Sequence, residues 1–218
     1  MDLVVTAAKH VLLVVIGLLP IMNPVSMAPL FLSLTRQGSA QFRQQQARKS
    51  ALYAIAILVA FFLLGNGIIA LFGISLAGIR IAGGLIVLVL AFRMLFSGDG
   101  EADTVKGGPD AIKRAEVDIS FSPIAMPGLA GPGCIAIVMG YGSQIPADQQ
   151  FLGYAVVLAG IVITGFIAWI VLAGADWLAR FLGEHGIQAV TKIMGFLLAC
   201  IAVQFIASGV REFAQSMA

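Results

Sequence analysis

Residues 19–30 read L-P-I-M-N-P-V-S-M-A-P-L, and residues 122–133 read S-P-I-A-M-P-G-L-A-G-P-G. Three prolines of the two stretches align without a gap at a constant offset of 103: Pro20 with Pro123, Pro24 with Pro127 and Pro29 with Pro132. A second alignment, at an offset of 111, pairs Gly84 with Gly195 and Ala91 with Ala202. Because the whole chain has only eight prolines, this agreement indicates that its two halves are related.

The composition identifies the class of protein. Of the 218 residues, 60% are hydrophobic and only 11% are charged, whereas a soluble domain carries about 25% charged residues. The mean hydropathy of +0.99 agrees. These values exclude a soluble globular domain, a disordered chain and a disulfide scaffold, and they leave an integral membrane protein. Cys134 and Cys200 lie inside apolar runs and are predicted to be buried rather than to form a disulfide or a metal site.

Long stretches without charge predict six membrane-spanning helices. A hydrocarbon core of about 30 Å needs roughly 20 apolar residues in a helix. The predicted spans lie near residues 10–34, 51–73, 76–97, 119–141, 151–174 and 191–211. The runs are continuous rather than alternating, which favours helices over a barrel. We therefore predict an all-α integral membrane protein with six transmembrane helices.

The two halves are predicted to be inverted repeats. Each half has three spans, so the second half must enter the membrane from the opposite side. The first repeat covers residues 1–98 and the second covers residues 119–218, with a cytoplasmic linker at 99–118. Ten of the 13 Lys and Arg residues lie in loops or at span ends on one side, and the positive-inside rule assigns that side to the cytoplasm. Both termini are then expected on the periplasmic side of a bacterial inner membrane.

The paired prolines predict that spans 1 and 4 are broken helices. A proline lacks a backbone donor and clashes with the carbonyl group four residues earlier. Asn23-Pro24 is a helix start signal, because Asn is a favoured N-cap and Pro is favoured at the first helical position. The restarted helix would point free N–H groups into the bundle. In inverted repeats, paired interruptions of this kind indicate a binding site, although kinking for packing alone is the alternative.

The candidate substrate-binding residues are the prolines and glycines of the two breaks and the polar side chains inside the spans. They are Asn23, Pro24, Ser26, Asn66, Pro127, Gly128, Gly131, Gly133 and Gln204. For Asn66 and Gln204, a hydrogen bond between helices is an equally supported alternative to a substrate contact. The hydroxyl groups of Ser33 and Thr164 are expected to hydrogen-bond to their own helices.

Several functional classes have no support in the sequence. No carboxylate or histidine lies near the centre of a predicted span, and no nucleotide-binding, nucleophile or metal-ligand motif is present. We therefore predict no enzymatic activity, no cofactor, no metal and no ATP-driven transport by this chain alone. No basic patch interleaved with aromatic residues suggests a nucleic acid. The expected partners are the lipid bilayer, a small-molecule substrate and, where transport is coupled, an ion. The oligomeric state is left open.

Four short motifs resemble the MarC family, also called the neutral amino acid transporter family. They are N-P-V-S-M-A-P-L-F at 23–31, R-I-A-G-G-L at 80–85, M-P-G-L-A-G-P-G at 126–133 and K-I-M-G-F-L-L-A at 192–199. The resemblance covers the whole chain. It implies a bacterial inner-membrane protein related to the LysE exporter superfamily, and the family's second name implies transport of small neutral amino acids.

Three functional hypotheses follow. The first is a secondary transporter of small neutral amino acids that works by alternating access of the two halves and binds its substrate at the broken helices 1 and 4. The second is an exporter of another small solute or a drug, which the glycine-rich walls of a small site make less favoured. The third is a membrane scaffold that transports nothing.

Overall fold

The described part of the chain is helical throughout. The computed structural model describes residues 2–35, 38–96, 118–146 and 149–217. The helices are α1 (Asp2–Met22), α2 (Pro24–Thr35), α3 (Ala40–Phe72), α4 (Leu76–Phe96), α5 (Pro132–Ser143), α6 (Gln150–Ala173) and α7 (Ala175–Met217). Between α4 and α5, the Ser120–Leu129 segment forms an irregular π-type coil in which Ser122 and Met126 are extended. Most of the predicted linker, residues 99–117, lies outside the described residues.

The helices have the length and apolar character of membrane spans. Five of them are long and apolar enough to cross a bilayer. A sixth span is reached when the Ser120–Leu129 segment and α5, which meet at a bend of 62°, are counted together. Large apolar side chains such as Leu12, Leu71, Phe96 and Phe151 are exposed on the surface of the bundle. The prediction of an all-α integral membrane protein is therefore confirmed.

Several helices extend beyond the spans predicted from charge gaps. Helix α1 begins at Asp2, well before the predicted start of span 1 near residue 10. Helix α3 begins at Ala40, where the side chain of Ser39 accepts a hydrogen bond from the Phe42 N–H. Charged residues near the starts of α1 and α3 therefore do not mark helix ends, because α-helices continue past the hydrocarbon core into the polar headgroup region.

Prolines end a helix at some positions and are accommodated within one at others. Pro20 lies inside α1 and Pro29 inside α2. By contrast, α1 ends before Pro24, and Pro24 and Pro132 are the first residues of α2 and α5. The prolines that align by sequence therefore do not all have the same structural role.

Two glycines have a positive φ angle, which glycine adopts more easily than any other residue. Gly73 ends α3 with φ 62°, and Gly183 interrupts α7 with φ 62°. An L side chain at such a position costs roughly 1–2 kcal/mol, so glycine is the residue expected there.

Helices α4 and α7 pack closely along a seam of small residues. A Cβ atom added to Gly84 would lie 2.9 Å from the Ala202 carbonyl oxygen, and one added to Gly195 would lie 3.2 Å from the Ala91 carbonyl oxygen. One added to Gly209 would lie 2.8 Å from the Ala77 carbonyl oxygen. As the residue number rises along α4 it falls along α7, so the helices run antiparallel. Small residues at every second turn bring the two backbones close together, as in other membrane helix pairs.

The two cysteines differ in their surroundings. Cys134 is buried in α5, but Cys200 is exposed on α7. The prediction that both are buried is wrong for Cys200. Ala202 faces α4. Successive helix residues are about 100° apart, so Cys200 lies about 200° around the helix from Ala202, on the face that points away from α4.

Candidate functional site

The break between α1 and α2 is a single residue, Asn23. Its N–H group donates to the Leu19 carbonyl oxygen at 2.9 Å, and its carbonyl oxygen accepts from the Met27 N–H at 3.4 Å. Asn23 thus ends one helix and begins the next. It adopts a left-handed backbone with φ 40°, which Asn tolerates better than other non-glycine residues. Because Pro24 has no N–H group, the helix cannot continue regularly through this point.

The side chain of Asn23 caps the start of α2. Its Oδ1 atom accepts a hydrogen bond from the Ser26 N–H at 3.3 Å, and its Nδ2 atom donates to the Ser26 Oγ atom at 2.8 Å. The side chain therefore satisfies one of the free N–H groups of the helix start. Asn23 is buried, so its hydrogen-bonding groups must find partners inside the protein.

The same polar group connects α2 to two distant helices. Ser26 Oγ lies 2.9 Å from Thr191 Oγ1 of α7, within hydrogen-bond distance. Asn23 Nδ2 also donates to the Met94 Sδ atom of α4 at 3.6 Å. We call Asn23, Ser26, Met94 and Thr191 the first junction. All four side chains are uncharged.

The start of α5 is built differently. Gly131 precedes Pro132 in an extended conformation, with φ −73° and ψ 172°, and no side chain caps this helix. A Cβ atom at Gly131 would lie 2.8 Å from the Pro127 carbonyl oxygen, which shows how closely the chain folds back on itself. We call Pro127, Gly128, Gly131, Pro132 and Gly133 the second junction.

The second junction lies against residues that flank the first junction in sequence. A Cβ atom added to Gly128 would lie 3.3 Å from Met27 Sδ, and one added to Gly133 would lie 3.3 Å from Ile21 Cγ2. The glycines of the second junction therefore allow the backbone to approach the end of α1 and the start of α2. Pro24 is buried, whereas Pro127 is exposed.

One of the predicted site residues lies away from the junctions. Gln204 is exposed on α7, more than three turns after Thr191. It shares the outward face of that helix with Cys200, because the opposite face packs against α4. The expectation that Gln204 points into the bundle is therefore wrong. Asn66 lies within α3, and its side chain is outside the described part of the structure.

Two polar residues behave as the sequence predicts. The hydroxyl group of Ser33 donates to the Leu30 carbonyl oxygen at 2.8 Å, and that of Thr164 donates to the Gly160 carbonyl oxygen at 2.7 Å. Both hydrogen bonds stay within one helix, so the predicted back-bonding is confirmed.

Met94 and Thr191 are the junction residues that sequence reasoning missed. Met94 is apolar and carries no motif that would distinguish it from other residues of span 3. Thr191 stands at the first position of the predicted span 6, where a polar residue is ordinary. A signal was nevertheless available for Thr191, since a hydroxyl group at a span end can serve a neighbouring helix as well as its own.

Charged residues gather at the end of the bundle where α3 begins. Lys49 Nζ lies 2.8 Å from Asp118 Oδ2, and Arg43 Nη2 lies 3.3 Å from Asp176 Oδ2. The Lys49 ammonium group and the Ser120 hydroxyl group hold the pKa of the Asp118 carboxyl well below its usual range. The Lys49–Asp118 ion pair attaches the chain that leads into the second junction to α3, and the Arg43–Asp176 ion pair attaches the start of α7 to α3.

The first junction has the chemistry of a site for a small polar ligand. A thioether sulfur is a weak acceptor, so the N–H group that Asn23 directs at Met94 has a poor partner. A carboxylate or carbonyl oxygen at the same place would accept a stronger hydrogen bond. The hydroxyl groups of Ser26 and Thr191 can donate and accept. Because burying a net charge is costly, an uncharged group of residues favours a ligand without net charge.

Comparison with known proteins identifies the family. A family profile described as "MarC family integral membrane protein" matches residues 8–214. The inner membrane protein MarC of Escherichia coli O1:K1 / APEC is 36% identical over 214 residues, which cover 94% of this chain and 95% of that protein. The MarC proteins of Citrobacter koseri and Shigella flexneri are 36% and 35% identical over the same shares of both chains. No solved structure matches the chain.

This chain belongs to the MarC family of integral membrane proteins. The resemblance seen in the four sequence motifs is confirmed. The related proteins are inner membrane proteins by name, which agrees with the apolar helices of the structure.

Proposed function

We propose that this member of the MarC family is a secondary transporter of small neutral amino acids, which it binds at the two junctions. The observation that carries the proposal is the buried amide of Asn23, which directs one N–H group at a thioether sulfur 3.6 Å away inside an apolar bundle. A buried donor with a weak partner is unfavourable. Such an arrangement is understandable where a better acceptor, the substrate, takes that position.

The zwitterion of a neutral amino acid matches both junctions. Its carboxylate would accept hydrogen bonds from Asn23 Nδ2 and from the N–H groups at the starts of α2 and α5. Its ammonium group would be held by backbone carbonyl oxygens that the prolines leave free, together with the Ser26 hydroxyl group. Gly128 packs against Met27 and Gly133 against Ile21, next to the first junction, and this close packing favours a substrate with a small side chain.

We propose that the two halves are inverted repeats. The contacts between α4 and α7 support this interpretation, because Gly84 packs against Ala202 and Gly195 packs against Ala91. At the offset of 111, Gly84 is equivalent to Gly195 and Ala91 is equivalent to Ala202, so the same contact occurs twice. Antiparallel, reciprocal packing of equivalent residues is what a two-fold axis in the membrane plane produces. Gly183 of α7 and Gly73 at the end of α3 both have φ 62°, and they are related by an offset of 110.

The helix starts suggest a different alignment of the two breaks from the one given by the prolines. Helices α2 and α5 each have 12 residues. They begin at Pro24 and Pro132, which are related by an offset of 108. This offset is close to the 110 and 111 of the later helices, whereas the proline alignment requires 103. We therefore take Asn23 and Gly131 as equivalent positions.

Within this proposal, both termini lie in the periplasm and the Lys49–Asp118 end of the bundle lies in the cytoplasm. The distribution of Lys and Arg in the sequence supports this orientation. Transport by alternating access would then expose the junctions to one side at a time, and the Ser26–Thr191 hydrogen bond would have to break and re-form during the cycle. Ion gradients imposed across a vesicle membrane would identify a coupling ion and the direction of transport.

The test is counterflow in proteoliposomes that contain the purified protein. Vesicles loaded with an unlabelled amino acid should take up the labelled form of glycine, alanine or serine, with lysine and aspartate as charged controls and with ion gradients imposed in parallel. Asn23→Gly should abolish the uptake. The control variant Ser33→Ala should retain it, because that hydroxyl group bonds only within α2.

The alternatives correspond to other outcomes of the same test. Uptake of other small solutes or drugs without amino acid counterflow would favour the exporter hypothesis. A folded protein that moves no solute would favour the scaffold. The absence of enzymatic activity stays a prediction.

A further inference from the structure

A cavity lies between α4 and α7 at the end of the bundle opposite the Lys49–Asp118 ion pair. Its volume is about 330 Å³, and it is lined by Arg80 of α4 and by Ser208, Arg211, Glu212 and Gln215 of α7. Arg211, Glu212 and Gln215 lie three, four and seven positions after Ser208, so the four side chains share one face of the helix. The two junctions and the small-residue seam do not involve these side chains, except that Arg80 flanks the seam at Gly209.

The cavity carries an excess of positive charge and of hydrogen-bond donors. Arg80 Nη1 lies 2.6 Å from Glu212 Oε2, and the Arg80 side chain is only 16% exposed. A guanidinium group has five N–H donors, so Arg80 can hold Glu212 and still offer donors to a second acceptor. Arg211 adds a second guanidinium group, which leaves two positive charges against one negative charge. The Ser208 hydroxyl and the Gln215 amide add neutral donors.

The position of the cavity indicates the source of the anion. The candidate span of α4 begins at Ala77 and that of α7 ends at Gln215, so the cavity lies where both spans end. This is the depth at which the hydrocarbon core gives way to lipid headgroups. Val210 and Phe213 of α7, next to the cavity residues in sequence, are exposed and apolar. A ligand with a phosphate group and acyl chains fits both features.

We propose that this cavity binds the phosphate of an anionic phospholipid. Arginine is suited to the task, because its planar group forms paired hydrogen bonds with phosphate oxygens. The bound headgroup would connect Arg80 of α4 to Arg211 of α7 and thereby hold the two helices together at this end of the seam. The site is independent of amino acid binding at the junctions.

The test is the thermal stability of the purified full-length protein in detergent. Phosphatidylglycerol, phosphatidylcholine with the same acyl chains, and inorganic phosphate are titrated separately. The expected result is a rise in Tm with phosphatidylglycerol alone. Arg211→Gln should weaken the apparent affinity for phosphatidylglycerol at least about fivefold, which is the ratio for about 1 kcal/mol per arginine.

The controls separate the site from general charge effects. Arg180→Gln, which removes an exposed arginine near the other end of α7, should leave the phosphatidylglycerol effect unchanged. Arg211→Lys should retain part of it. An Arg211→Gln protein with the wild-type response, or an equal response of the wild type to phosphatidylcholine, would overturn the proposal. A response to inorganic phosphate that Arg211→Gln abolishes would overturn the lipid assignment in favour of a free anion.

Discussion

The starts of α2 and α5 perform the same structural task by different means. The start of α2 is capped by the side chain of Asn23, which bonds to Ser26 and to Met94. Ser26 in turn lies within hydrogen-bond distance of Thr191. At the second, Gly131 has no side chain, and the backbone folds back onto the Pro127 carbonyl group. Under the proposed function, chemical selectivity would reside at the first junction, while the second provides close backbone approach.

The segments that lead into the two starts differ in the same way. Helix α1 is regular up to Met22 and accommodates Pro20. The Ser120–Leu129 segment is irregular, with two extended residues. The two residues that precede it are held to α3 by hydrogen bonds, one from the Ile119 N–H to Gln46 Oε1 at 3.0 Å and one from Lys49 Nζ to Asp118 Oδ2 at 2.8 Å. The second junction is therefore positioned by its connection to α3, and the first by its own helix.

The largest effect is expected from substitutions of Asn23. Asn23→Gly keeps a residue that tolerates φ 40° and removes the amide, so it should abolish substrate binding at a stability cost of only a few tenths of a kcal/mol for the cap. Asn23→Leu should abolish binding as well, and it should also destabilise the protein by roughly 1–2 kcal/mol of left-handed strain. Thermal unfolding with and without substrate measures both effects. Substrate stabilisation of Asn23→Gly equal to wild type would contradict the role of the amide.

The next effect concerns the stability of the protein rather than substrate binding, and it is expected from glycines of α5 and its start. Gly131→Ala places a Cβ atom 2.8 Å from a backbone oxygen, and forced packing of this kind costs about 1–3 kcal/mol. Gly140 lies in the same helix with no atom within 4 Å of a Cβ position. Gly140→Ala should therefore stabilise the protein by up to about 1 kcal/mol through helix propensity. Thermal unfolding of both variants is the measurement, and equal shifts in Tm would show that the second junction is not closely packed.

The smallest effect concerns the hydrogen bond between α2 and α7. In a double-mutant cycle, Ser26→Ala and Thr191→Val should be coupled by about 0.5–1.5 kcal/mol, the net value of one hydrogen bond. Thr164→Val is the matched control, because its hydroxyl group bonds only within α6. It should be additive with Thr191→Val. Additivity of the Ser26 and Thr191 variants would mean that the two hydroxyl groups do not interact in the folded protein.

Local features of the fold were predictable because they depend on neighbouring residues. A long stretch without charge predicted each span, and Asn23-Pro24 predicted where a helix begins. The prediction was less accurate at helix ends such as Asp2, since hydropathy reports the hydrocarbon core and not the full helix. The alignment of prolines at an offset of 103 also did not predict every helix break, because Pro20 and Pro29 lie inside helices.

The sequence by itself determined the class of protein, the spans and the residue Asn23 at a helix start, because these follow from composition and from chemistry within one turn. It also carried the four motifs that resemble the MarC family. Only the tertiary structure decided that Met94 and Thr191 meet Asn23 and Ser26, and that Gln204 faces outward. The physical reason is the membrane. A helix in lipid is apolar on its outer face as well as its inner face, so hydrophobicity does not reveal its rotation. Close packing of small residues along α4 and α7 sets that rotation, and it depends on both helices together.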